Sequence, residues 1–313
     1  MLPHGSRFYF SKLSDGEKDI YDSISDALDR FEQTVSIRAG IGRLSDIQKI
    51  FEYILLDNPG FFYLDKRRFE YSQSFMSAQI RFQYDYTRSE AEQFSSAIKE
   101  KISAFMRGAI NRAMGHLEKQ RAIHKYLQAA IKPEYENISR DSHSVVGALV
   151  HGFCVCEGFA KAYKLLCDYV KLAAIVVTGE SDRDGKREPH AWNIVRINNI
   201  TAHNDITWDA IAGIGSYTYF NLCDAEISAD HSFEAGFFPV CVPNKINYFY
   251  LNRLTAANEA EARRIIAANA DKAGFSMKFL FPVELERIMG FGFPSGSFKF
   301  NDAQNVVTFM KTK

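Results

Sequence analysis

The sequence predicts an α+β fold. Two kinds of pattern predict it: apolar residues three or four positions apart, as in an amphipathic helix, and shorter stretches in which apolar and polar residues alternate, as in a strand. The helical spacing is seen in residues 20–31 and 88–106, and the alternation is seen in residues 76–86. The 313 residues are 46% hydrophobic and 14% aromatic, so they can bury one sizeable core or two smaller ones.

The first elements are predicted from capping and turn residues. Ser14-Asp-Gly-Glu17 resembles a capping box, so the first helix is expected to begin there. Residues 57–60 have turn chemistry, and the aromatic run at 61–64 indicates a short strand after them. Residues 76–86 alternate as in a second strand. Together these predict an N-terminal unit of helices and a short hairpin.

Helical spacing continues over residues 88–106 and again from about 115 to 130. The connection at 107–114 is the predicted boundary between two parts of the chain. Residues 1–110 form an N-terminal α+β unit of unknown role in this prediction, and residues 111–313 form the core with a C-terminal α/β extension.

The second part is predicted to contain one helix that begins near Cys156, followed by three strands and a C-terminal extension. The three strands are separated by a charged loop at 180–188 and by a turn at Asn198-Asn199. The charged loop is expected to be solvated, and the alternative is a mobile flap over the cleft. The predicted bounds are 156–170 for the helix, 173–178, 191–197 and 201–208 for the strands, and then helix 258–270, strand 275–281, helix 282–289 and strand 306–310.

Composition excludes several classes of partner. Lys plus Arg and Asp plus Glu number 38 each, so no large net field is available to attract nucleic acid or an anionic membrane. The longest apolar runs fall well short of the roughly 20 residues that a membrane helix needs. The first ten residues lack the pattern of a secretory signal, which predicts a cytoplasmic protein, or a secreted one if the N-terminus has been trimmed. The five cysteines, without a paired C-x-x-C spacing, favour a reducing compartment.

Cys156 is the candidate nucleophile. A cysteine attacks an amide as a thiolate, and the partial positive charge at a helix N-terminus favours the thiolate. Gly158 leaves room for an approaching substrate or strand, and both it and Glu157 are candidates for the substrate cleft. Glu157 would disfavour the thiolate if it faced the sulfur, but its spacing to Lys161 offers a surface ion pair instead.

His190 and Asp205 are the candidate base and its orienting carboxylate. A two-residue turn at Asn198-Asn199 would pair position 190 with 207 and position 192 with 205, which makes His190 and Asp205 diagonal neighbours on one face. The backbone N–H of Cys156 is the natural first donor to an oxyanion. The second donor stays open, with Ser142, Ser144 and His151 as candidates.

Four blocks, in this order, resemble the core of the transglutaminase-like superfamily in its bacterial form. They are residues 147–163, which contain Cys156-Glu-Gly-Phe-Ala160, then Val177-Thr-Gly179, then His190-Ala-Trp-Asn193, and then Asp205-Ile-Thr-Trp-Asp209. The resemblance covers about residues 115–231. It implies a cysteine-protease-like fold, in which a central helix packs on an antiparallel sheet, and a catalytic triad of Cys156, His190 and Asp205.

The resemblance implies acyl transfer at protein or peptide amides, and alternatives remain for the second half of the reaction. Thr201-Ala202 stands where the family usually has an aromatic pair, which favours an open site and water as the acceptor, hence a peptidase or glutamine deamidase. A cross-linking transglutaminase, a catalytically silent peptide-binding member and an acetyltransferase for small arylamines are the other readings.

Other residues have ordinary structural explanations. Cys154 and Cys167 are expected in the core, because free cysteine is often buried. Trp192 is either a core aromatic or part of the cleft wall. The remaining histidines show no spacing typical of a metal site, so no metal and no cofactor are expected. The oligomeric state cannot be predicted from these features.

Overall fold

The computed structural model describes residues 6–38, 44–74, 77–183, 185–293 and 295–311. Its N-terminal part combines helices with a sheet of strand order β1-β3-β2. In chain order the elements are α1 (Asp15–Asp29), β1 (Thr34–Arg38), α2 (Leu44–Asp57), β2 (Leu64–Gln73), β3 (Ser77–Tyr84) and α3 (Arg88–Ala109). A short 3-10 helix precedes α1 at Phe10–Lys12.

Helix α1 begins as the sequence predicted. The Ser14 backbone N–H donates to Glu17 Oε2 at 2.8 Å, which completes one half of the capping box. The strand predicted at 61–64 begins only at Leu64, because Pro59–Phe61 forms a 3-10 turn that is compatible with the fixed φ of proline. Strand β1 and helix α2 were not predicted. Met76, the first residue of the second predicted strand, lies outside the described residues.

The central part carries the candidate catalytic residues on one helix and one antiparallel sheet, of strand order β10-β6-β7-β8-β9. Its elements are α4 (His116–Ala130), β4 (Lys132–Pro133), β5 (Phe153–Cys154), α5 (Cys156–Tyr169), β6 (Ala173–Arg183), β7 (Lys186–Ile197), β8 (Ile200–Asn204), α6 (Ile206–Ala212), β9 (Phe220–Leu222), α7 (Asp224–Ile227) and β10 (His231–Ser232). A π-helical turn at Gly147–His151 leads into β5.

Helix α5 packs on the sheet through its buried apolar residues, which include Phe159, Tyr163 and Leu166. A polar contact fixes its position as well, because the Asn193 side-chain amide on β7 donates to the carbonyl oxygens of Ala160 at 3.0 Å and Ile175 at 3.2 Å. Helix and sheet are therefore held together one turn beyond Cys156. The α+β, cysteine-protease-like arrangement predicted from the sequence is confirmed.

The hairpin of β7 and β8 has the predicted register. Ile197 pairs with Ile200, and the ladder runs to the pair of Asn193 and Asn204. The third strand does not continue to residue 208 as predicted, because Asp205 leaves the ladder and caps the N-terminus of α6. The prediction of a charged loop at 180–188 is also wrong, because β6 continues to Arg183 and β7 begins at Lys186.

The C-terminal part forms a separate sheet, of strand order β11-β12-β14-β13, with its own apolar cluster. Its elements are α8 (Tyr248–Leu251), β11 (Thr255–Ala256), α9 (Glu259–Asn269), β12 (Gly274–Phe279), α10 (Leu285–Met289), β13 (Gly296–Asn301) and β14 (Val306–Lys311). Strand β13 was not predicted, although Phe298 and Phe300 alternate with polar residues in it.

The largest apolar cluster extends from Leu13 to Ile206 and so includes side chains from both sides of the boundary predicted at residue 110. That division of the chain stays a prediction. Among the described residues, no helix is both long enough and apolar enough to span a bilayer.

Candidate active site

Cys156 is the first residue of α5, and the extended backbone of Val155 precedes it. Its side chain is half-buried, whereas the other cysteines are buried. Burial raises the pKa of the Cys154 and Cys167 thiols well above the ordinary value. Exposure and position at a helix start therefore distinguish Cys156 from its neighbours in the sequence.

The two residues that follow have structural partners. A Cβ atom on Gly158 would lie 2.6 Å from both the Cβ of Cys154 and the carbonyl oxygen of Ser142. Gly158 is therefore buried in a close helix-to-strand contact and does not line a cleft. Glu157 accepts from Lys161 Nζ at 2.7 Å and lies 3.0 Å from His143 Nδ1. The carboxylate thus has the partner that its spacing predicted, but Lys161 is buried, so the ion pair is not on the surface.

His190 and Asp205 lie side by side, with 2.8 Å between His190 Nε2 and Asp205 Oδ2. The other carboxylate oxygen accepts from the backbone N–H groups of Thr207 at 2.9 Å and Trp208 at 3.2 Å. The N-cap role therefore fixes the orientation of Asp205, which is fully buried. Burial would raise the pKa of Asp205, but the imidazoles of His190 and His231 hold it below its ordinary value.

The imidazole of His190 also interacts with the thiol of Cys156. Since Nε2 faces Asp205, the other ring nitrogen, Nδ1, is the one available to the sulfur. Burial by itself would lower the pKa of His190, but the Asp205 carboxylate and the nearby Cys156 raise it to about 10. The structure thus brings together the three residues that the sequence singled out.

A fourth residue, His231 on β10, was not predicted as part of the site. Its Nε2 lies 3.1 Å from the same Asp205 oxygen, and its Nδ1 lies 2.7 Å from Asp230 Oδ1. Asp230 in turn accepts from the Tyr219 hydroxyl at 2.6 Å. The adjacent Asp230-His231 pair is the only sequence signal for this chain of contacts, because β10 reaches the site by pairing with β6, distant in sequence.

Aromatic rings enclose His190 on the side of the sheet. Trp192 is fully buried and stacks on the imidazole, with 5.9 Å between ring centroids and 20° between ring planes. It therefore lies beneath His190 and not on a cleft wall. Trp208 contacts both His190 and His231, at centroid distances of 5.9 and 4.6 Å. These rings restrict the movement of both imidazoles.

The upstream candidates for a second oxyanion donor are occupied by other contacts. Ser144 Oγ donates to the Asp141 carbonyl at 3.0 Å, and His151 Nε2 lies 3.0 Å from Asp141 Oδ2. Ser142 Oγ accepts from the Ser139 backbone N–H at 3.1 Å. The phenol of Tyr135 also lies near the site. Its pKa is raised chiefly by burial, and the nearby Cys156 and Asp205 contribute to the rise.

A cavity of about 840 Å³ adjoins the site and extends to the C-terminal sheet. One wall comes from the central part and the other from β12, β13 and β14. Its lining includes Arg183, Trp208, Ile214, Tyr219, Phe300 and Phe309. Trp208 connects it to His190, and Arg183 lies near Tyr135.

Within the described part of the chain, two groups of side chains have donor atoms close enough to hold a metal ion. One is His190, Asp205 and His231, and the other is His203, Asp224 and Cys241. In the second group, Trp192 Nε1 donates to His203 Nδ1 at 3.0 Å, which leaves the proton on Nε2, the atom facing Asp224. That arrangement is a hydrogen bond between neutral imidazole and carboxylate, and burial lowers the pKa of His203 to about 4.

A half-buried thiol at a helix start, beside an imidazole bonded to a buried carboxylate on an antiparallel sheet, is the arrangement of a cysteine-protease-like protein. Residues 103–209 match the family model described as the transglutaminase-like superfamily. The resemblance to this superfamily that the motifs predicted is confirmed for that segment, which is about a third of the chain. The matched segment contains Cys156, His190 and Asp205, and His231 lies beyond it.

Several solved structures resemble the chain at low identity. They are a protein described as a TGase (13% identity, 56% of this chain and 50% of that chain, TM-score 0.33), a protein from Cytophaga hutchinsonii provisionally described as a cysteine protease (10%, 45% and 61%, TM-score 0.30), and menin, described with its binding site for the Mixed Lineage Leukemia protein (13%, 86% and 53%, TM-score 0.30). The chain spans about half to three fifths of the length of these proteins. No curated protein matches the sequence significantly.

Proposed function

We propose that the chain is a transglutaminase-like cysteine enzyme that transfers acyl groups at protein or peptide amides, with Cys156, His190 and Asp205 as its triad. One observation carries the proposal: a single buried imidazole lies 2.8 Å from a buried carboxylate and close enough to a half-buried thiol for that thiol to help raise its pKa. A structural cysteine has no need of such a partner, whereas a nucleophilic cysteine requires one.

The reaction follows from these contacts. Cys156 Sγ, as the thiolate, attacks the amide carbonyl, and the backbone N–H of Cys156 at the start of α5 donates to the resulting oxyanion. His190 then gives its proton to the departing amine or ammonia, which leaves a thioester. A water molecule attacks the thioester, transfers one proton to His190 and releases the acid and Cys156. The raised pKa of His190 keeps it protonated, and thus able to act as the acid, at neutral pH.

Water is the proposed acceptor, but the reason differs from the one given by the sequence. Ala202 is fully buried, and the Thr201 hydroxyl donates to the Val240 carbonyl at 2.7 Å. Neither residue faces His190, so their small size does not open the site. The support comes instead from exposure, since Cys156 is only half-buried whereas the other cysteines are buried. A thioester at this position would be accessible to water, which favours hydrolysis or deamidation.

The cavity beside Trp208 supports a protein or peptide substrate. Its size lies in the range of about 300 to 1,000 Å³ that is usual for ligand sites, and its apolar residues come from the central and the C-terminal parts of the chain. We assign it to a substrate side chain next to the reacting amide. This assignment gives the C-terminal sheet a role in substrate binding. The proposed function involves neither nucleic acid nor a membrane as a partner.

The test follows the acyl-enzyme with a panel of glutamine-containing peptides and a labelled primary amine. Intact mass measures the thioester, while ammonia release, new peptide termini and amine incorporation are measured in parallel. We expect a thioester on the wild type, and none on Cys156→Ala, with Cys223→Ala as the matched control because Cys223 is buried away from His190.

Each product identifies one reading of the function. Ammonia or new termini without amine incorporation supports the hydrolase, and efficient amine incorporation would make the protein a cross-linking transglutaminase. Peptide binding with no thioester in the wild type would contradict the enzyme and support a silent peptide-binding member.

A further inference from the structure

We propose that His231 is a positioning residue: it holds the Asp205 carboxylate in place and, by carrying a positive charge, reduces how strongly that carboxylate stabilises the protonated form of His190. The proposal rests on the proposed function, because His190 is the acid of that reaction. It adds to the triad a residue outside the segment matched by the family.

The first support is that two imidazoles share one oxygen atom. His190 Nε2 and His231 Nε2 lie 2.8 and 3.1 Å from Asp205 Oδ2, while Thr207 and Trp208 occupy Oδ1. The carboxylate is thus held at both oxygens by groups other than His190. Its position does not depend on the protonation state of His190, which changes twice in each turnover.

The second support is the protonation state that these contacts demand. A ring nitrogen can face a carboxylate oxygen at hydrogen-bond distance only if it carries a proton. Both nitrogens of His231 face carboxylates, at 3.1 Å from Asp205 and 2.7 Å from Asp230. His231 is therefore an imidazolium. Burial would lower the pKa of His231, but its hydrogen bonds to Asp205 and Asp230 raise it.

The Asp230 carboxylate also accepts hydrogen bonds from two other side chains. Tyr219 donates its hydroxyl to Asp230 Oδ2 at 2.6 Å, and Gln304 Nε2 approaches both oxygens at 3.3 and 3.4 Å. Asn301 donates to the Tyr219 oxygen at 2.9 Å, which fixes the direction of the hydroxyl. The C-terminal sheet therefore helps to hold the Asp230 carboxylate against His231.

The consequence for His190 is electrostatic. The two imidazole rings are 5.3 Å apart, and a positive charge at that separation disfavours a second one. The titratable or charged groups that face His231 are Asp205, Asp230, His190, Tyr219 and the neutral His203. The ring also contacts Trp192 and Trp208, which exclude water.

The test replaces His231 by glutamine, whose amide nitrogen can still donate to Asp205 but carries no charge. We expect His231→Gln to move the titration of His190 to higher pH by about one unit, a tenfold gain in proton affinity. This is measured by NMR of the labelled imidazoles, which needs no substrate. In the enzyme assay the alkaline limb of kcat/KM shifts the same way, and kcat falls about three- to tenfold with KM unchanged.

The matched control is His124→Gln. His124 is also fully buried against a carboxylate, with 3.2 Å between its Nε2 and Asp209 Oδ2, but it does not contact Asp205. The His124→Gln variant should be less stable than the wild type, and the midpoint of the His190 titration should not change. A purely structural role for His231 predicts the same result for both variants, and that result would overturn the proposal.

If His231→Gln does not fold, NMR of the wild-type protein tests whether His231 is charged. Ring-nitrogen shifts of a doubly protonated His231 at pH 7.5 support the proposal, and those of a neutral His231 overturn it. A stoichiometric metal ion on the purified protein, lost in a His231 variant, would also overturn it, because the three donor atoms would then be ligands. Failure of the amide assay with the expected NMR shifts would refute the proposed function and leave the charge of His231 intact.

Discussion

At the scale of single residues, exposure separates Cys156 from the other cysteines. Burial raises the pKa of Cys154, Cys167, Cys223 and Cys241. We therefore expect limited iodoacetamide treatment near neutral pH to modify Cys156 first, as measured by peptide mapping. Cys156→Ala should remove the fast phase of labelling. Preferential modification of Cys154 or Cys167 would show that the nucleophile is wrongly assigned.

Asp205→Asn tests the orientation of His190. The asparagine oxygen can still cap α6, but its amide N–H groups would then face two imidazole N–H groups, so one contact must break. We expect turnover to fall by about three to four orders of magnitude, as in other triads whose carboxylate is neutralised. The matched control is Asp209→Asn, a buried carboxylate on α6 paired with His124 instead. Comparable activity in the two variants would contradict the triad.

The pH profile tests the raised pKa of His190. The reaction needs His190 protonated, and its pKa is about 10, so activity should persist through neutral pH and be lost as the pH rises through about 10. The same group should contribute to stability, fully below its unfolded-state pKa of about 6.5 and not above about 10. An alkaline limb of kcat/KM near pH 6.5 would mean that Asp205 does not stabilise the imidazolium.

At the scale of elements, the start of α5 depends on Gly158. A methyl group there would lie 2.6 Å from backbone and side-chain atoms of the neighbouring segments. We expect Gly158→Ala to lower the free energy of unfolding by about 1 to 3 kcal/mol, as overpacking does, and to reduce turnover by shifting Cys156. Gly108→Ala is the control, since Gly108 lies in α3 with nothing within 4 Å. That variant should gain about 0.4 to 1 kcal/mol, and chemical denaturation measures both.

The elements also show which parts of the site the sequence could predict. The start of α5 and the β7–β8 register depend on neighbours within about twenty positions, so local patterns predicted them. The pairing of β10 with β6 joins residues fifty positions apart, His231 with Ser181, and β10 has only two residues. No periodicity can appear in so short a strand. The place of His231 was therefore not predictable, although Asp205, which it contacts, was one of the predicted catalytic residues.

At the scale of the whole molecule, the C-terminal sheet connects to the site in two ways. Asn301 and Gln304 support the Tyr219–Asp230 pair, and Phe300 and Phe309 line the cavity beside Trp208. The sequence predicted this region only as an extension. These contacts support the proposed roles of the sheet in binding substrate and in holding Asp230 against His231.

Ile214 tests that assignment of the cavity. It lines the cavity and is 75% exposed, so it contributes little to the core. Burying an isoleucine side chain against a bound substrate is worth about 1.5 to 3 kcal/mol. If the cavity receives an apolar substrate side chain, Ile214→Asp should raise KM for such peptides about tenfold or more, with kcat and the melting temperature nearly unchanged.

The matched control for Ile214→Asp is Val240→Asp, because Val240 is 65% exposed but does not line the cavity. Its KM should equal that of the wild type. Peptides that differ only in one side chain, apolar or polar, make the comparison sharper, since only the apolar series should lose affinity in Ile214→Asp. An equal rise in KM for both series would indicate that the new carboxylate changes the electrostatic potential around the site. An unchanged KM for both would place the substrate elsewhere, and the C-terminal sheet would then act only through Asp230 and His231.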